Sequence, residues 1–129
     1  MGDETGKRVM VVDDAAFVRL YFRDILERAG YQVVEALNGL EALEKLLATP
    51  VDLLIVDINM PRMDGISFLN AVRTLDLPLA STPAMVTSTE SAPQDFAAAR
   101  AAGANFYLAK PISREKLAAI VRILCGSEE

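Results

Sequence analysis

Short apolar runs alternate along this chain with longer stretches in which apolar residues recur every three or four positions. The short runs predict β-strands and the longer stretches predict α-helices, because side chains alternate across a strand and repeat every 3.6 residues around a helix. The alternation occurs five times in 129 residues, a length that suits one domain. Five successive βα units predict an α/β fold, in which helices cover both faces of a five-stranded parallel sheet.

The predicted strands are short, and the third is apolar up to its last residue, as expected for a strand buried on both faces. The second helix is marked by Leu40, Leu43 and Leu47 at helical spacing, with Asn38 as its cap. The predicted strands are Arg8–Val12, Gln32–Ala36, Leu53–Asp57, Pro83–Thr87 and Asn105–Ala109. The predicted helices are Ala15–Ala29, Gly39–Leu47, Gly65–Thr74, Ala92–Ala102 and a last helix that Ser113 caps and that ends near Leu124.

We expect one domain over residues 7–125, between a flexible tail at 1–6 and a short tail at 126–129, with no output domain. No apolar run approaches the roughly 18 residues of a membrane-spanning helix, and no signal-peptide pattern precedes the first strand. The lone Cys125 cannot form an internal disulfide and favours a reducing compartment. These features predict a cytoplasmic protein, which we expect to be a monomer that does not bind membranes.

The charged residues argue against a nucleic-acid partner. The chain has 13 basic and 18 acidic residues, a net charge of −5, and its arginines form no basic stripe. Scattered arginines are typical of a solvated surface. The arginines concerned are Arg8, Arg19, Arg28, Arg73 and Arg114.

Several polar residues stand where predicted strands end. Of the common doubly wound sheets, the five-stranded one has the order 2-1-3-4-5, and its ligands bind at the carboxyl ends of the strands where the order switches. The switch would fall between the first and third strands, which end at Asp13-Asp14 and Asp57. Topology therefore predicts that these three carboxylates lie together.

Three carboxylates at a separation of ~4–6 Å disfavour ionisation unless a cation compensates their charge. Hard oxygen ligands favour Mg²⁺, and the absence of histidine makes zinc or copper improbable. Asp57 can attack phosphorus to give an aspartyl phosphate, while the ammonium of Lys110 balances charge on the phosphoryl oxygens. The Lys110-Pro111 bond can be cis.

Taken singly, each of these residues has a plain structural explanation. Asp13 and Asp14 could cap the first helix, and Asp57 could be an ordinary buried aspartate that is satisfied by hydrogen bonds. Lys110 could be a solvated charge, and Thr87 could be a β-branched strand residue.

The motifs nevertheless occur together and in order. They are Val11-Val12-Asp13-Asp14, Asp57-Ile58-Asn59-Met60-Pro61-Arg62-Met63-Asp64-Gly65, Val86-Thr87 and Tyr107-Leu108-Ala109-Lys110-Pro111. In these motifs the chain resembles the receiver domain of two-component response regulators, and the stand-alone CheY-like type in particular. The resemblance extends from about Lys7 to Cys125 and implies a flavodoxin-like fold.

The resemblance implies that Asp57 is the phosphoacceptor, which takes its phosphoryl group from the phosphohistidine of a sensor histidine kinase or from a phosphotransfer protein. It implies that Asp14, Asp57 and the backbone carbonyl of Asn59 bind Mg²⁺, with Asp13 acting mostly through a bound water. Lys110 would contact a phosphoryl oxygen. Such a domain is a switch that catalyses only its own phosphorylation and dephosphorylation, and is otherwise not an enzyme.

The resemblance also implies a switch pair, in which the Thr87 hydroxyl moves toward the phosphoryl group and the Tyr107 ring turns inward. The output would then appear on the face formed by the fourth helix, the fifth strand and the fifth helix. A downstream target such as a flagellar motor switch protein would bind there, most simply in chemotaxis. The candidate residues of this face are Phe96, Arg100, Phe106, Tyr107 and Lys116.

Four other functions are compared with the same residues. A lone receiver can also serve a phosphorelay or cell-cycle control, or can make protein contacts without phosphorylation. A phosphatase with an aspartate nucleophile would need a second carboxylate two residues after Asp57, where this chain has Asn59. A nucleotide-binding domain would need a glycine-rich loop after the first strand, which is absent.

Overall fold

The structure is a computed structural model, and it describes residues 6–89 and 93–125. The predicted tails at residues 1–6 and 126–129 lie outside the described residues, apart from Gly6, and so does Ala92, the predicted start of the fourth helix. Among the helices of the described part, none has both the length and the apolar character that a bilayer crossing requires.

Strands and helices alternate through the described residues as the sequence predicts. The strands are β1 (Arg8–Val12), β2 (Gln32–Ala36), β3 (Leu53–Asp57), β4 (Ala84–Ser88) and β5 (Phe106–Ala109). The helices are α1 (Ala16–Arg28), α2 (Gly39–Ala48), α3 (Gly65–Arg73), α4 (Pro93–Ala101) and α5 (Arg114–Cys125), with a 3₁₀ turn at Leu79–Ser81. Each predicted end of a strand or helix either coincides with the observed end or lies one residue away from it.

The five strands form one parallel sheet in the order β2-β1-β3-β4-β5. This is the predicted order, and it places β1 and β3 side by side at the point where the strand order reverses. The carboxyl ends of β1 and β3 therefore open toward the same edge of the sheet, where a ligand can enter.

The core has two layers, one on each face of the sheet. In β1, Met10 and Val12 face the layer that contains residues of α2 and α3, whereas Val9 and Val11 face the layer of α1 and α5. Alternate residues of a strand point to opposite faces, so a strand covered on both sides is apolar throughout. The nearly continuous apolar runs of β1 and β3 follow from this arrangement.

Local signals set the ends of several helices. The Asn38 side chain accepts a hydrogen bond from the Glu41 backbone N–H at 2.8 Å, so it caps α2 as predicted. Ser113 caps α5 by accepting one from the Lys116 N–H at 3.1 Å. Gly30 follows α1 with a φ of 96°, a conformation that glycine adopts without steric cost.

The leucines that mark α2 in the sequence are not its buried side. Gly39, Ala42 and Leu46 are buried, whereas Leu40 and Leu47 are exposed. The two sets are displaced by one residue, and both recur at helical spacing. Periodicity therefore predicts the helix correctly but does not tell which side faces the sheet.

Two of the scattered arginines are not solvated, so that interpretation is wrong for them. The Arg73 guanidinium donates hydrogen bonds to the carbonyl oxygens of Thr82 at 2.7 Å and of Ala80 at 3.2 Å, and its Nε donates to that of Gly103 at 3.1 Å. It thereby holds the segment between α3 and β4 against the turn that precedes β5. Arg19 donates to the carbonyl oxygen of Asp13 at 2.7 Å.

Candidate functional site

Three carboxylates meet at the carboxyl ends of β1 and β3, as the sequence predicts. Asp57 is the last residue of β3, and Asp13 and Asp14 directly follow β1. Asp13, Asp14 and Asp57 each offer a carboxylate oxygen, and the three oxygens lie within 4.8 Å of one another. Asp13 and Asp57 are buried, whereas Asp14 is exposed, so the cluster opens to solvent on the side of Asp14.

Asp13 is held in place by hydrogen bonds on both carboxylate oxygens. Its Oδ1 accepts from the Ala15 backbone N–H at 2.9 Å, and its Oδ2 accepts from Lys110 Nζ at 2.7 Å. The N-cap of α1 is Ala15, which makes no side-chain cap bond. The alternative that the acidic pair caps this helix is therefore wrong. Arg19 adds a third contact by donating to the Asp13 carbonyl oxygen, and nothing in the sequence pattern marks Arg19 for such a role.

Lys110 directly follows β5, and its peptide bond to Pro111 is cis. Its ammonium lies 2.7 Å from Asp13 Oδ2 and 3.4 Å from Asp57 Oδ1. Because β4 separates β5 from β3 in the sheet, the side chain reaches across the end of β4 to the carboxylates. Lys110 is thus part of the cluster, and the alternative of a solvated charge is wrong.

The Asp57 carboxyl has a pKa above the ordinary value for an aspartate. Burial raises the pKa of its carboxyl from 3.8 to about 6; the ammonium of Lys110 lowers it, and the nearby charges of Asp13 and Asp14 raise it. Three carboxylates thus share one ammonium, which leaves the cluster with excess negative charge. A hard divalent cation of the size of Mg²⁺ fits this donor set, since it takes one or two carboxylates and completes its shell with water.

Thr87 lies beside Asp57 in the sheet, because the two residues are paired in the register of β3 and β4. The Thr87 side chain is buried, and its Oγ1 has no hydrogen-bond partner among residues 6–89 and 93–125. Leaving a buried hydroxyl without a partner costs about 1–3 kcal/mol, so such groups are rare in folded proteins. The neighbouring Ile58 N–H donates to the Thr87 carbonyl at 3.0 Å and leaves the hydroxyl untouched.

Two further predicted residues lie close to this edge but outside the cluster. Asn59 is exposed, two residues after Asp57 in the loop that leads to α3. Tyr107 is half-buried in β5, where its ring centroid lies 4.2 Å from that of Phe96 in an edge-on contact. That contact links β5 to α4.

Gly65 explains how the loop after β3 can pack so closely. A Cβ atom at this position would lie 2.3 Å from the carbonyl oxygen of Asp57, which is a backbone atom and cannot move aside cheaply. The Gly65 N–H also donates to the Ile58 carbonyl at 3.0 Å, and so closes the loop over the end of the strand. Any larger residue at this position would displace Asp57.

Comparison with known proteins agrees with this geometry. The family model of the response regulator receiver domain matches residues 9–122, and the chain therefore belongs to this family. It is 37% identical over 113 residues to the chemotaxis protein CheY of Thermotoga maritima. The aligned region covers 87% of this chain and 92% of that protein. Protein PilG of Pseudomonas aeruginosa is 33% identical to this chain, and the aligned region covers 91% of this chain and 86% of PilG.

A solved structure shows the same architecture. The chemotaxis protein CheY4 of Vibrio cholerae superposes with a TM-score of 0.85 and 34% identity, over 92% of this chain and 98% of that chain. Receiver domains are phosphoacceptor switches rather than enzymes in the ordinary sense, and they bind Mg²⁺ at an acidic pocket. A CheY-like receiver works between a histidine kinase and a downstream target.

Proposed function

We propose that Asp57 accepts a phosphoryl group from a phosphohistidine of a sensor histidine kinase or a phosphotransfer protein. The observation that carries this proposal is the cluster itself: a buried aspartate at a strand end, with two further carboxylates and the Lys110 ammonium at 3.4 Å. An Asp57 carboxylate oxygen forms the new P–O bond while the P–N bond of the donor breaks. The imidazole keeps the bonding electron pair and takes up a proton.

The residues that would hold Mg²⁺ are Asp14, Asp57 and the backbone carbonyl of Asn59, with Asp13 acting mostly through a bound water. When bound, the ion supplies positive charge to the oxygens of the transferring phosphoryl group. Lys110 already lies against Asp57, so its ammonium can pass from the carboxylate to a phosphoryl oxygen with little movement. Its hydrogen bond to Asp13 keeps the long side chain directed into the site.

Thr87 and Tyr107 would then report the modification. The Thr87 hydroxyl gains its missing partner when it donates to a phosphoryl oxygen, and this favours the phosphorylated arrangement over the unphosphorylated one. The space that it leaves would be filled by the Tyr107 ring, which now packs against Phe96. The proposed output face consists of α4, β5 and α5, where Phe96 and Phe106 are exposed.

Chemotaxis is the proposed pathway, because relatives named chemotaxis proteins match nearly their whole length. A flagellar motor switch protein is the corresponding target. Phosphorelay and cell-cycle control are alternatives that use the same chemistry at Asp57. The cytoplasm as location, the monomeric state and a domain that covers residues 7–125 stay predictions.

The proposal is tested by incubating the protein with acetyl phosphate and Mg²⁺ and measuring its intact mass. We expect the addition of one phosphoryl group, which EDTA prevents and which Asp57→Asn abolishes. Asp52→Asn is the matched control, because Asp52 precedes the same strand at its other end, where it accepts a hydrogen bond from the Arg8 N–H at 2.8 Å. Equal labelling of the Asp57→Asn protein would overturn the assignment, and rapid turnover of a generic phosphate ester would indicate a phosphatase instead.

A further inference from the structure

Helix α2 is apolar on two sides, although only one of them packs against the sheet. Its buried side is formed by small residues and one leucine, so the helix lies close to the strands. A helix that is apolar all round is typical of a buried position, yet α2 and the residue before its cap leave large side chains in solvent. Leu37 and Leu40 are each 46% exposed, and Leu47 is 56% exposed. We call Leu37, Leu40 and Leu47 the outer leucine stripe.

The outer leucine stripe lines a groove of about 530 Å³. Leu43 is half-buried at its floor, and the cap residue Asn38 lies at one end. Arg62 belongs to the loop after β3 and stands at the same end, because the neighbouring Met63 carbonyl accepts a hydrogen bond from the Gly39 N–H. The groove thus follows the exposed side of the helix over its whole length.

The middle of this groove is negatively charged. Glu44 lies between Leu40 and Leu47 on the same side of the helix, and it makes no ion pair within the described part of the chain. Glu41 is already engaged: it accepts from the Leu37 N–H at 2.7 Å and lies 3.7 Å from Lys45 Nζ. Glu44 is therefore the carboxylate that is available to a cationic partner.

We propose that this groove binds an amphipathic helix of a partner protein, which inserts apolar side chains between the leucines and places a lysine or arginine against Glu44. Binding of an amphipathic helix in an apolar groove relies on anchors spaced at i, i+3 or i+4 and i+7. These anchors belong to the inserted helix, and on α2 they would meet Leu40, Leu43 and Leu47. An opposite charge beside such anchors selects the partner and its register.

Other occupants fit the groove less well. In a two-fold symmetric pair of α2 helices that run antiparallel, the two Glu44 side chains would lie within about one helical turn of each other, without a cation between them. Lys45 cannot supply that cation, since it donates to the Glu35 carbonyl at 2.6 Å, and Arg62 stands at the Asn38 end of the groove rather than beside Glu44. Residues 1–5 and 126–129 carry acidic side chains and no basic ones, so these segments do not complement Glu44 either.

The groove lies far from the proposed output face. α2 packs on β1 and β2 and against α3, at the β2 edge of the sheet, whereas β5 forms the opposite edge. A partner on α2 and a target on the α4–β5–α5 face can therefore bind at the same time. The inference goes beyond the proposed function and does not depend on phosphorylation of Asp57.

A synthetic helical peptide tests the proposal on the unphosphorylated protein. The peptide has about four helical turns, leucines at i, i+3 and i+7, lysines beside them and one tryptophan. Because the protein contains no tryptophan, the peptide's emission reports binding alone. We expect saturable binding of the lysine peptide, and weak binding of a second peptide in which glutamate replaces each lysine.

Variants of the protein locate the site. Leu47→Ser should weaken binding about tenfold, and Glu44→Lys should weaken the lysine peptide by a similar factor while strengthening the glutamate peptide. Leu20→Ser is the matched control for exposure, because Leu20 on α1 is 61% exposed and lies outside the groove. Asp76→Lys is the matched control for net charge, and at physiological salt it should change binding less than about twofold. Thermal unfolding confirms that all four variants are folded.

Three results would overturn the proposal. In the first, the two peptides bind equally well or neither binds. In the second, Leu20→Ser or Asp76→Lys weakens binding as strongly as the groove variants do. In the third, sedimentation shows a dimer that Leu47→Ser dissociates. The last result would assign the groove to a second copy of the chain. A protein that binds the lysine peptide but is not phosphorylated at Asp57 would refute the proposed function and leave this inference intact.

Discussion

The carboxyl group of Asp57 lies in surroundings that disfavour its negative charge. Burial is the largest cause of its raised pKa, and the neighbouring carboxylates add to it, while Lys110 offsets part of the effect. Such an arrangement is unfavourable for the resting fold and favourable for binding a cation, because the cation removes the repulsion. The Asp57 carboxylate thus destabilises the metal-free fold, and a bound cation would reduce that effect.

The pH dependence of stability follows from that pKa. The Asp57 carboxyl has its ordinary pKa of 3.8 when the chain is unfolded and about 6 in the folded protein. The folded state therefore holds an extra proton between these values, and stability is lost as the pH rises through this window. Above about pH 7 the full penalty of roughly 2–3 kcal/mol applies, and below about pH 4 it disappears.

Asp57→Asn should therefore stabilise the metal-free protein at neutral pH. We expect a gain of about 2 kcal/mol in the free energy of unfolding in EDTA near pH 7.5, since asparagine carries no charge to bury, and almost no gain near pH 4. Urea unfolding at the two pH values measures both. An Asp57→Asn protein that is less stable than the wild type at neutral pH would contradict this description of the site.

Thr87 offers a second test at a single side chain. Thr87→Val replaces the unpartnered hydroxyl by a methyl group of similar size, so the unphosphorylated protein should gain about 1 kcal/mol in stability. Phosphorylation of Asp57 should persist, since the hydroxyl does not form the new bond. Urea unfolding and intact mass after acetyl phosphate treatment measure the two effects. A loss of stability would show that the hydroxyl has a partner in solution.

Among the elements, strands were predicted better than helix faces. Each strand is a short apolar run that ends in a polar residue, and parallel strands bring such ends to one edge, so the carboxylate cluster follows from chain order alone. Which side of α2 is buried depends on tertiary packing, such as the close approach of Gly39 to Met63 in the loop after β3, and periodicity does not contain that information. The partners of Lys110, Arg19 and Arg73 also depend on tertiary contacts.

Arg73 connects elements that are distant in sequence. Arg73→Ala would leave the carbonyl oxygens of Ala80, Thr82 and Gly103 without their shared donor, so we expect a loss of about 2–3 kcal/mol. Arg73→Lys should recover little of it, because one ammonium cannot reproduce the planar set of donors. Chemical unfolding compares both variants with Arg28→Ala, which removes only an exposed pair with Asp24. Full rescue by lysine would refute the proposed geometric role.

At the scale of the whole molecule, the site joins strands from both halves of the sheet. Asp13 and Asp14 follow β1, Asp57 ends β3 and Lys110 follows β5, so a ligand held by these residues binds only the folded chain. A ligand that binds only the folded state stabilises it in proportion to its concentration and affinity.

Mg²⁺ should therefore raise the melting temperature of the whole domain. We expect the increase to grow with Mg²⁺ concentration and to be lost in Asp14→Asn, which removes the exposed carboxylate of the cluster. Glu27→Gln on α1 is the control for the loss of one exposed negative charge. An equal shift in wild type and Asp14→Asn would place the ion elsewhere.

The central claim is that Asp57, and no other carboxylate, becomes an acyl phosphate. Borohydride reduces an aspartyl phosphate to homoserine. Tandem mass spectrometry of the tryptic peptide 46–62 distinguishes position 57 from Asp52, and peptide 9–19 reports on Asp13 and Asp14. After treatment with acetyl phosphate and Mg²⁺, we expect homoserine at position 57 alone. Homoserine at Asp52, Asp13 or Asp14, or at no position, would contradict the claim.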